Sequence, residues 1–163
     1  TTFDSIIGAT ALLLILPFLG VRPSMAIVWL PVMALLVFIF TAGLALFLSC
    51  ANLFFRDVKY IVQVLVTFGI FFTPVFFDAA MFGSVGAQIV MLNPLAPILE
   101  GFRLGIVAGH ALLQPLVQAS AAGAAVLAWT PWYLAYSAAW SIIGLIGSAL
   151  LFHRSEFVFA EYV

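Results

Sequence analysis

Formal charges are sparse in this 163-residue chain and sit in short clusters that long uncharged apolar runs separate. The densest cluster, Arg56-Asp57-Val58-Lys59, lies between two such runs and contains the only lysine. Ionised side chains are costly inside a bilayer, so charges collect at the ends of membrane-spanning segments. With 66% apolar residues, 7% charged residues and a mean hydropathy of +1.31, the sequence predicts an integral membrane protein.

The same residues exclude several classes of function. A phosphate-binding loop needs Gly-Lys-Ser/Thr, whereas Lys59 follows a valine, so the chain has no such site for nucleotide hydrolysis. Energised work would therefore need a partner. The single cysteine, Cys50, rules out an intrachain disulfide and a Cys-rich metal site, and the net charge of −1 argues against binding nucleic acid through a basic patch.

Four apolar runs approach the roughly 20 residues that a helix needs to cross a bilayer. They cover residues 5–21, 25–51, 60–77 and 132–152. The segment from about 78 to 130 is interrupted by glycine, proline and polar residues, and we expect it to form re-entrant half-helices at the outer side. The predicted fold is all-α, a single transmembrane domain over residues 1–163. A further span at 112–128 stays open and would move the C-terminus to the other side.

A short helix is predicted inside this interrupted segment. Asn93 can cap a helix, and Pro94 fits its first turn, where a missing N–H costs nothing. The helix should continue to about Val107 and stop near Gly109, which makes it too short to span. Glu100 and Arg103 lie three residues apart on one face and are expected to pair. Contact with sugar hydroxyls is the alternative.

Basic residues predict the orientation, because they are enriched on the cytoplasmic side. Four spans place Arg56, Lys59 and Arg154 on one side and Arg22 and Arg103 on the other. We expect the first group to be cytoplasmic, with both ends of the chain inside. The Arg56-Asp57 pair either marks the end of a span or contacts a partner near the entrance of a channel.

Helical periodicity sorts the third span into two faces. Gln63, Thr67, Ile70 and Pro74 share a polar stripe, and Phe68, Phe72 and Phe76 lie roughly opposite. Polar side chains in a membrane face protein or a water-filled path. We favour helix packing for this stripe, with a substrate path as the alternative.

Small residues line one face of the second span and one face of the fourth, and both faces predict close helix packing. Cys50 is expected to be a small buried side chain. The two faces consist of Thr41, Ala45, Ser49 and Asn52 on the second span, and of Ser137, Ser141, Gly144 and Ser148 on the fourth.

Ionisable groups are missing from the predicted spans, since all six acids lie outside them. Ion-coupled carriers and intramembrane hydrolases commonly need such groups at depth. We therefore predict no catalytic residue, no metal site and no cofactor on this chain. His110 is expected to meet water.

Four strings then point to a family. Leu53-Phe54-Phe55-Arg56-Asp57-Val58 precedes a span that ends in Phe72-Thr73-Pro74-Val75, and Leu92-Asn93-Pro94-Leu95 leads to Glu100-Gly101-Phe102-Arg103. In this order they resemble the permease subunits of type 2 ATP-binding-cassette exporters, above all the branch that exports O-antigen, teichoic acid and related lipid-linked polysaccharides. The tail from Phe152 to Glu161 is similar to that family's cytoplasmic end.

The resemblance implies a bacterial inner-membrane permease of six spans, of which this chain would hold the C-terminal four. It implies a pair of permease copies, a lipid-linked glycan as cargo, and an ATPase partner that binds ATP and Mg²⁺. A gate helix would start at Asn93-Pro94 and carry Glu100 and Arg103. Arg56-Asp57 would lie at the cytoplasmic end of a span.

Candidate channel-lining residues come from the third span and are Gln63, Thr67, Phe71 and Pro74. Phe71 joins them because its ring, about 80° from Gln63 on the helix, could stack on sugars. One alternative is a drug or small-lipid exporter of the same superfamily. Another is an assembly factor or a membrane-embedded enzyme of envelope synthesis.

Overall fold

The computed structural model describes residues 11, 15, 28–55, 57–75, 77–119, 123 and 125–159, with side chains through residue 155. Five α-helices account for most of this part of the chain: α1 (Leu30–Phe54), α2 (Val58–Phe72), α3 (Gly83–Met91), α4 (Leu95–Arg103) and α5 (Pro131–Phe159). A 3-10 turn (Ala79–Phe82) precedes α3, and a π-helical turn (Leu104–Ala108) continues α4. Strands β1 (Leu116–Ala119) and β2 (Ala125–Trp129) precede α5.

Two helices, α1 and α5, are long and apolar enough to cross a membrane. Each provides a 25-residue stretch, about 37 Å at 1.5 Å per residue, which exceeds the ~30 Å hydrocarbon core. The predominantly helical fold is therefore confirmed, with two helices that could span a membrane. The predicted first span, 5–21, lies outside the described residues except Ala11 and Ile15, and the count of four spans stays a prediction.

Helices α1 and α5 run side by side in the same direction. Met33, early in α1, packs in one cluster with Leu134 early in α5. Farther along, Gly43 lies against the backbone of Leu145. Near the C-terminal ends, the Cys50 sulfur is 3.1 Å from the hydroxyl of Ser155. Both helices thus bring their C-terminal ends to the same end of the pair.

The serine face of α5 forms its side of this contact, as predicted. Ser137, Ser141 and Ser148 are buried, although Gly144 is exposed. The hydroxyls of Ser141 and Ser148 each donate to a backbone carbonyl one turn earlier, at 2.7 Å. These bonds satisfy the polar groups and leave a small surface that a second helix can approach.

The predicted packing face of α1 is wrong for this contact. Thr41, Ala45, Ser49 and Asn52 are exposed, and the buried residues of α1 are Met33, Leu36, Gly43 and Cys50. Gly43, the one glycine of α1, sets which face of α1 packs on α5. Without a side chain at Gly43, the two helix backbones can meet. The prediction that Cys50 is buried is confirmed.

Helix α2 is shorter than the predicted span 60–77, because it ends at Phe72. Thr73 precedes Pro74 and takes an extended conformation with ψ 141°. A residue before proline is biased away from the helical region, which explains the stop. None of the residues of α2 is buried, so the described part of the chain covers little of its surface.

The connecting segment, residues 78–130, contains a β-hairpin that the all-α prediction missed. Strands β1 and β2 pair antiparallel, with Val117 opposite Leu127. A helical span at 112–128 is therefore wrong, since Pro115 stands directly before β1 and prevents a continuous helix. Trp129, the last residue of β2, is fully buried, while Trp132 in the first turn of α5 is exposed.

The close contact at Gly43 yields the first prediction. A Cβ atom there would lie 2.8 Å from the Leu145 nitrogen, so Gly43→Ala should force the helices apart and cost about 1–3 kcal/mol. Thermal unfolding of the purified protein in detergent measures the loss. Gly144→Ala is the matched control, because its Cβ meets nothing within 4 Å. Equal midpoints for both variants would contradict the close approach of α1 and α5.

Candidate functional site

The start of α4 is fixed by Asn93, as the sequence predicts. Its side-chain oxygen accepts a hydrogen bond from the Leu95 N–H at 3.1 Å, and its backbone oxygen accepts one from Ala96 at 2.9 Å. The amide group of Asn93 also donates to the carbonyl of Phe72 at 3.3 Å. Asn93 therefore joins the start of α4 to the end of α2.

The end of this helix also matches the prediction. The π-helical turn carries the chain from α4 to Ala108, and Gly109 adopts a left-handed conformation with φ 59° and ψ 23°. Glycine reaches this region without the steric cost that a side chain would bring. His110 then contacts the backbone oxygen of Gln114 through its Nε2 atom at 3.0 Å.

A charged cluster lies at the C-terminal end of α4. The guanidinium of Arg103 contacts the carboxylate of Glu100 and lies 2.9 Å from that of Asp78. Glu100 is fully buried, whereas the Arg103 side chain is 36% exposed. The predicted pairing of Glu100 with Arg103 is confirmed. Direct contact between Glu100 and a sugar does not fit this arrangement, since the carboxylate has no exposed surface.

Asp78 takes part in two structural elements at once. One of its carboxylate oxygens accepts from the Ala80 N–H at 3.0 Å and caps the 3-10 turn. The other contacts Arg103. The sequence analysis did not assign Asp78 to the site. Its position before Ala79-Ala80 was the available signal, because aspartate is a preferred cap.

Burial raises the pKa of the Glu100 carboxyl above its ordinary value, and Arg103 opposes this effect through a hydrogen bond and its positive charge. One Glu100 oxygen, Oε2, and the Nε atom of Arg103 are buried without a hydrogen-bond partner in the described part of the chain. A buried carboxylate with a free oxygen destabilises its own charged form. The cluster places two carboxyl groups, those of Glu100 and Asp78, on one guanidinium.

The predicted channel-lining residues separate into two groups. Gln63, Thr67 and Phe71 are exposed on α2, and the Thr67 hydroxyl donates to the Gln63 carbonyl at 2.8 Å. Pro74 lies beyond the end of α2 and is buried, so it does not continue the stripe. Whether the other three line a channel stays a prediction.

Phe71 borders a cleft of about 330 Å³ at the end of α2. Phe72 lines the same cleft, although the helical projection placed it on the opposite face. Both side chains line the cleft at the point where α2 ends. Other walls of this mostly apolar cleft are Phe77, Phe82, Gly86, Ile89, Val90 and Asn93.

A larger apolar cleft, about 540 Å³, lies between α1, α2 and the start of α4. Leu44 and Leu48 of α1 face Val62 and Val66 of α2 across it. Gln63 and Thr67 are not among its lining residues. Ile70, which was assigned to the same stripe, does line it, so only the Gln63 and Thr67 part of the stripe lies outside this cleft.

The cytoplasmic-end pair is described only in part, because Arg56 lies outside the described residues. Asp57 is exposed and precedes the first turn of α2. Its backbone oxygen accepts hydrogen bonds from Tyr60 at 3.0 Å and Ile61 at 3.4 Å. This geometry fits a helix start and leaves the Asp57 side chain free of any role in capping.

Two aromatic side chains donate to distant backbone carbonyls, one within the connecting segment and one from α5 to that segment. The Trp129 indole donates to the Leu112 carbonyl at 2.8 Å. The Tyr136 hydroxyl donates to the Leu92 carbonyl at 2.7 Å. Sequence carries little signal for such contacts, because each partner is a backbone atom far along the chain.

Comparison with known families gives this geometry a context. Residues 2–107 match the ABC-2 type transporter family. The chain belongs to that family. The match includes α1, α2, α3 and α4, and so covers Asn93, Asp78 and both other members of the charged cluster. The expected family is thereby confirmed.

Curated relatives point to one branch of the family. The chain is 33% identical over 85 residues to an O-antigen export system permease protein RfbA of Klebsiella pneumoniae, covering 52% of this chain and 33% of that protein. It is 33% identical over 114 residues to a protein of the same name from Myxococcus xanthus, covering 68% of this chain and 43% of that protein. The chain thus spans about a third to two fifths of these relatives. No solved structure matches it.

The raised pKa of Glu100 gives a prediction about pH. A carboxyl whose pKa is higher in the folded protein contributes stability at low pH and loses it as pH rises through the folded pKa. The melting temperature of the full-length protein should therefore fall more between about pH 5 and 8 than that of Glu100→Gln. Thermal unfolding across this range measures the difference. Parallel pH profiles would contradict the raised pKa of the Glu100 carboxyl.

Proposed function

We propose that this chain is the C-terminal part of the permease of an ATP-driven exporter that moves a lipid-linked O-antigen type polysaccharide across the bacterial inner membrane. The observation that carries the proposal is the 33% identity to O-antigen export permeases, which reaches 68% of this chain in one relative. The apolar helices α1 and α5 support a membrane location.

The orientation of the helices supports the proposed topology. Cys50 and Ser155 are in contact, so α1 and α5 end at the same level, close to Arg154 and to Lys59 in the first turn of α2. Clustered basic residues mark a cytoplasmic side. The connecting segment then lies at the outer side, with α3 and α4 as the gate half-helices.

The proposed energy source is a separate ATPase subunit that binds ATP and Mg²⁺. The lone lysine cannot serve a phosphate-binding loop in this chain. A second permease copy is proposed to complete the transmembrane path. The surface of α2 supports this, because each of its residues retains exposure in the single chain.

Within the permease, the exposed side of α2 is the proposed cargo path. Gln63 and Thr67 supply polar groups, and Phe71 supplies a ring that can stack on a sugar. A second candidate cargo is a drug or small lipid. The 540 Å³ cleft favours it, because its walls are almost entirely apolar.

Topology can be tested by cysteine labelling in intact cells. In a Cys50→Ala background of the full-length permease, a cysteine in place of Ser84 should react with a membrane-impermeant maleimide. A cysteine in place of Lys59 should react only after the cells are opened. Both positions are exposed, so access across the membrane decides the result. The reverse pattern would contradict the proposed orientation.

Cargo contact can be tested by export from cells that depend on the full-length permease and its ATPase. Phe71→Ala should lower surface polysaccharide about two- to tenfold at unchanged protein level, since one stacking contact is worth ~0.5–1.5 kcal/mol. Phe68→Ala is the matched control, also exposed on α2 but outside the polar stripe. Equal export by the two variants would contradict the assigned path. Normal glycan export together with loss of lipid or drug efflux would favour the second cargo.

A further inference from the structure

Helices α3 and α4 form a helical hairpin. An ion pair joins its two ends opposite the turn. The chain turns between them at Leu92, Asn93 and Pro94. At the opposite end, Asp78 stands just before the 3-10 turn that leads into α3, and Arg103 is the last residue of α4. The 2.9 Å contact between these two residues therefore closes the open end of the hairpin.

The turn of this hairpin is anchored to the spanning helices. Tyr136 of α5 donates to the Leu92 carbonyl, and Asn93 donates to the Phe72 carbonyl of α2. The α4 side is also anchored, because Ile98 and Leu104 pack with Met33 and Trp129. Residues 78–91, named the arm, pack against Ala96, the strand β2 and Tyr133 of α5.

The surface on which the arm packs contributes little hydrophobic stabilisation. Its buried cluster consists mostly of alanines and is completed by one methionine and one valine: Ala79, Ala80, Ala87, Met91, Ala96, Val126 and Ala128. Hydrophobic stabilisation grows with the apolar area removed from water, and a methyl group buries little. The ionic contact at Arg103 thus adds to the modest apolar packing that holds the arm.

Glu100 fixes the guanidinium that makes this contact. It lies one turn before Arg103 and is fully buried, with Oε1 on the guanidinium and Oε2 unpaired. A buried polar atom without a partner is costly, so the carboxylate lowers stability where an apolar residue would raise it. Its benefit is to hold the Arg103 side chain in the direction of Asp78.

We propose that Asp78, Arg103 and Glu100 form an ionic clasp that holds the arm closed over the alanine surface, and that release of the clasp lets the arm swing about the Leu92–Pro94 turn. In an exporter this motion opens the outer end of the path. That consequence rests on the proposed function, whereas the clasp itself concerns only the connecting segment.

The test uses the full-length permease with its ATPase partner in membranes, in a Cys50→Ala background. The reporter is Ala96→Cys, because Ala96 is fully buried under the arm. Its reaction rate with a water-soluble maleimide measures how often the arm opens. Arg103→Gln and Asp78→Asn should each raise the rate about tenfold or more, the effect of losing a charge-assisted hydrogen bond.

Two further variants separate charge from packing. Arg103→Lys should stay within about threefold of the parent rate, because a single nitrogen, Nη2, makes both carboxylate contacts and an ammonium can replace it. Lys59→Gln removes a positive charge at the far end of α2 and should leave the rate unchanged. Asp78→Asn retains an oxygen that can accept from the Ala80 N–H and should therefore still fold. If the Arg103→Gln protein is not produced in the cells, Asp78→Asn alone tests the proposal.

The clasp is overturned if Asp78→Asn labels at the parent rate, or if Arg103→Lys labels as fast as Arg103→Gln. Surface polysaccharide is measured in the same cells. Rates that follow the expected order while no polysaccharide is exported would support the clasp and count against the proposed cargo. Normal polysaccharide export with unchanged labelling rates would contradict the clasp and support the proposed cargo.

Discussion

The backbone contact between Gly43 and Leu145 is the constraint on which the rest of the structure depends. Only a residue without a side chain lets two helices meet at the distance found here. Ser141 and Ser148 of α5 contribute because their hydroxyls bond to carbonyls of their own helix and need no partner on α1. The pair that results is parallel, so the chain must return to the start level of α1 before α5 can begin.

That return is made by α2 and the connecting segment. Helix α2 runs back from the end of α1 and stops where Thr73 precedes Pro74. The connecting segment then covers the starts of α1 and α5 and packs through Trp129, Met33 and the flat surface at Gly101. A substrate path at this end would have to pass the half-helices α3 and α4, so the fold itself places a barrier there.

Local chemistry explains which features the sequence predicted. The α4 start at Asn93-Pro94, its stop at Gly109 and the start of α5 near Pro131 depend on residues within one or two turns, and all three are found. The membrane character followed from composition, and the family followed from four short strings. The match of the chain to ABC-2 transporters extends over residues 2–107.

Features that depend on a distant partner were missed. The packing face of α1 was assigned from small polar residues, yet a single glycine opposite Leu145 decided it. The β-hairpin was not predicted, because the short apolar segments around Val117 and Val126 fit a strand or a helix equally well. Of the candidate site, the Glu100–Arg103 pair was predicted from helical spacing, whereas Asp78 lies 25 positions before Arg103 and only the fold brings them together.

The parallel arrangement of α1 and α5 is the central structural claim, and one cross-link tests it directly. Cys50 touches Ser155 at 3.1 Å, so Ser155→Cys in the full-length protein should form a disulfide with Cys50 within a single chain on mild oxidation. The product would run as a monomer with faster migration on non-reducing gels. Ser148→Cys, two turns earlier in α5, should not form it. Absence of the Cys50–Cys link at position 155, or its formation only between chains, would contradict the parallel pair.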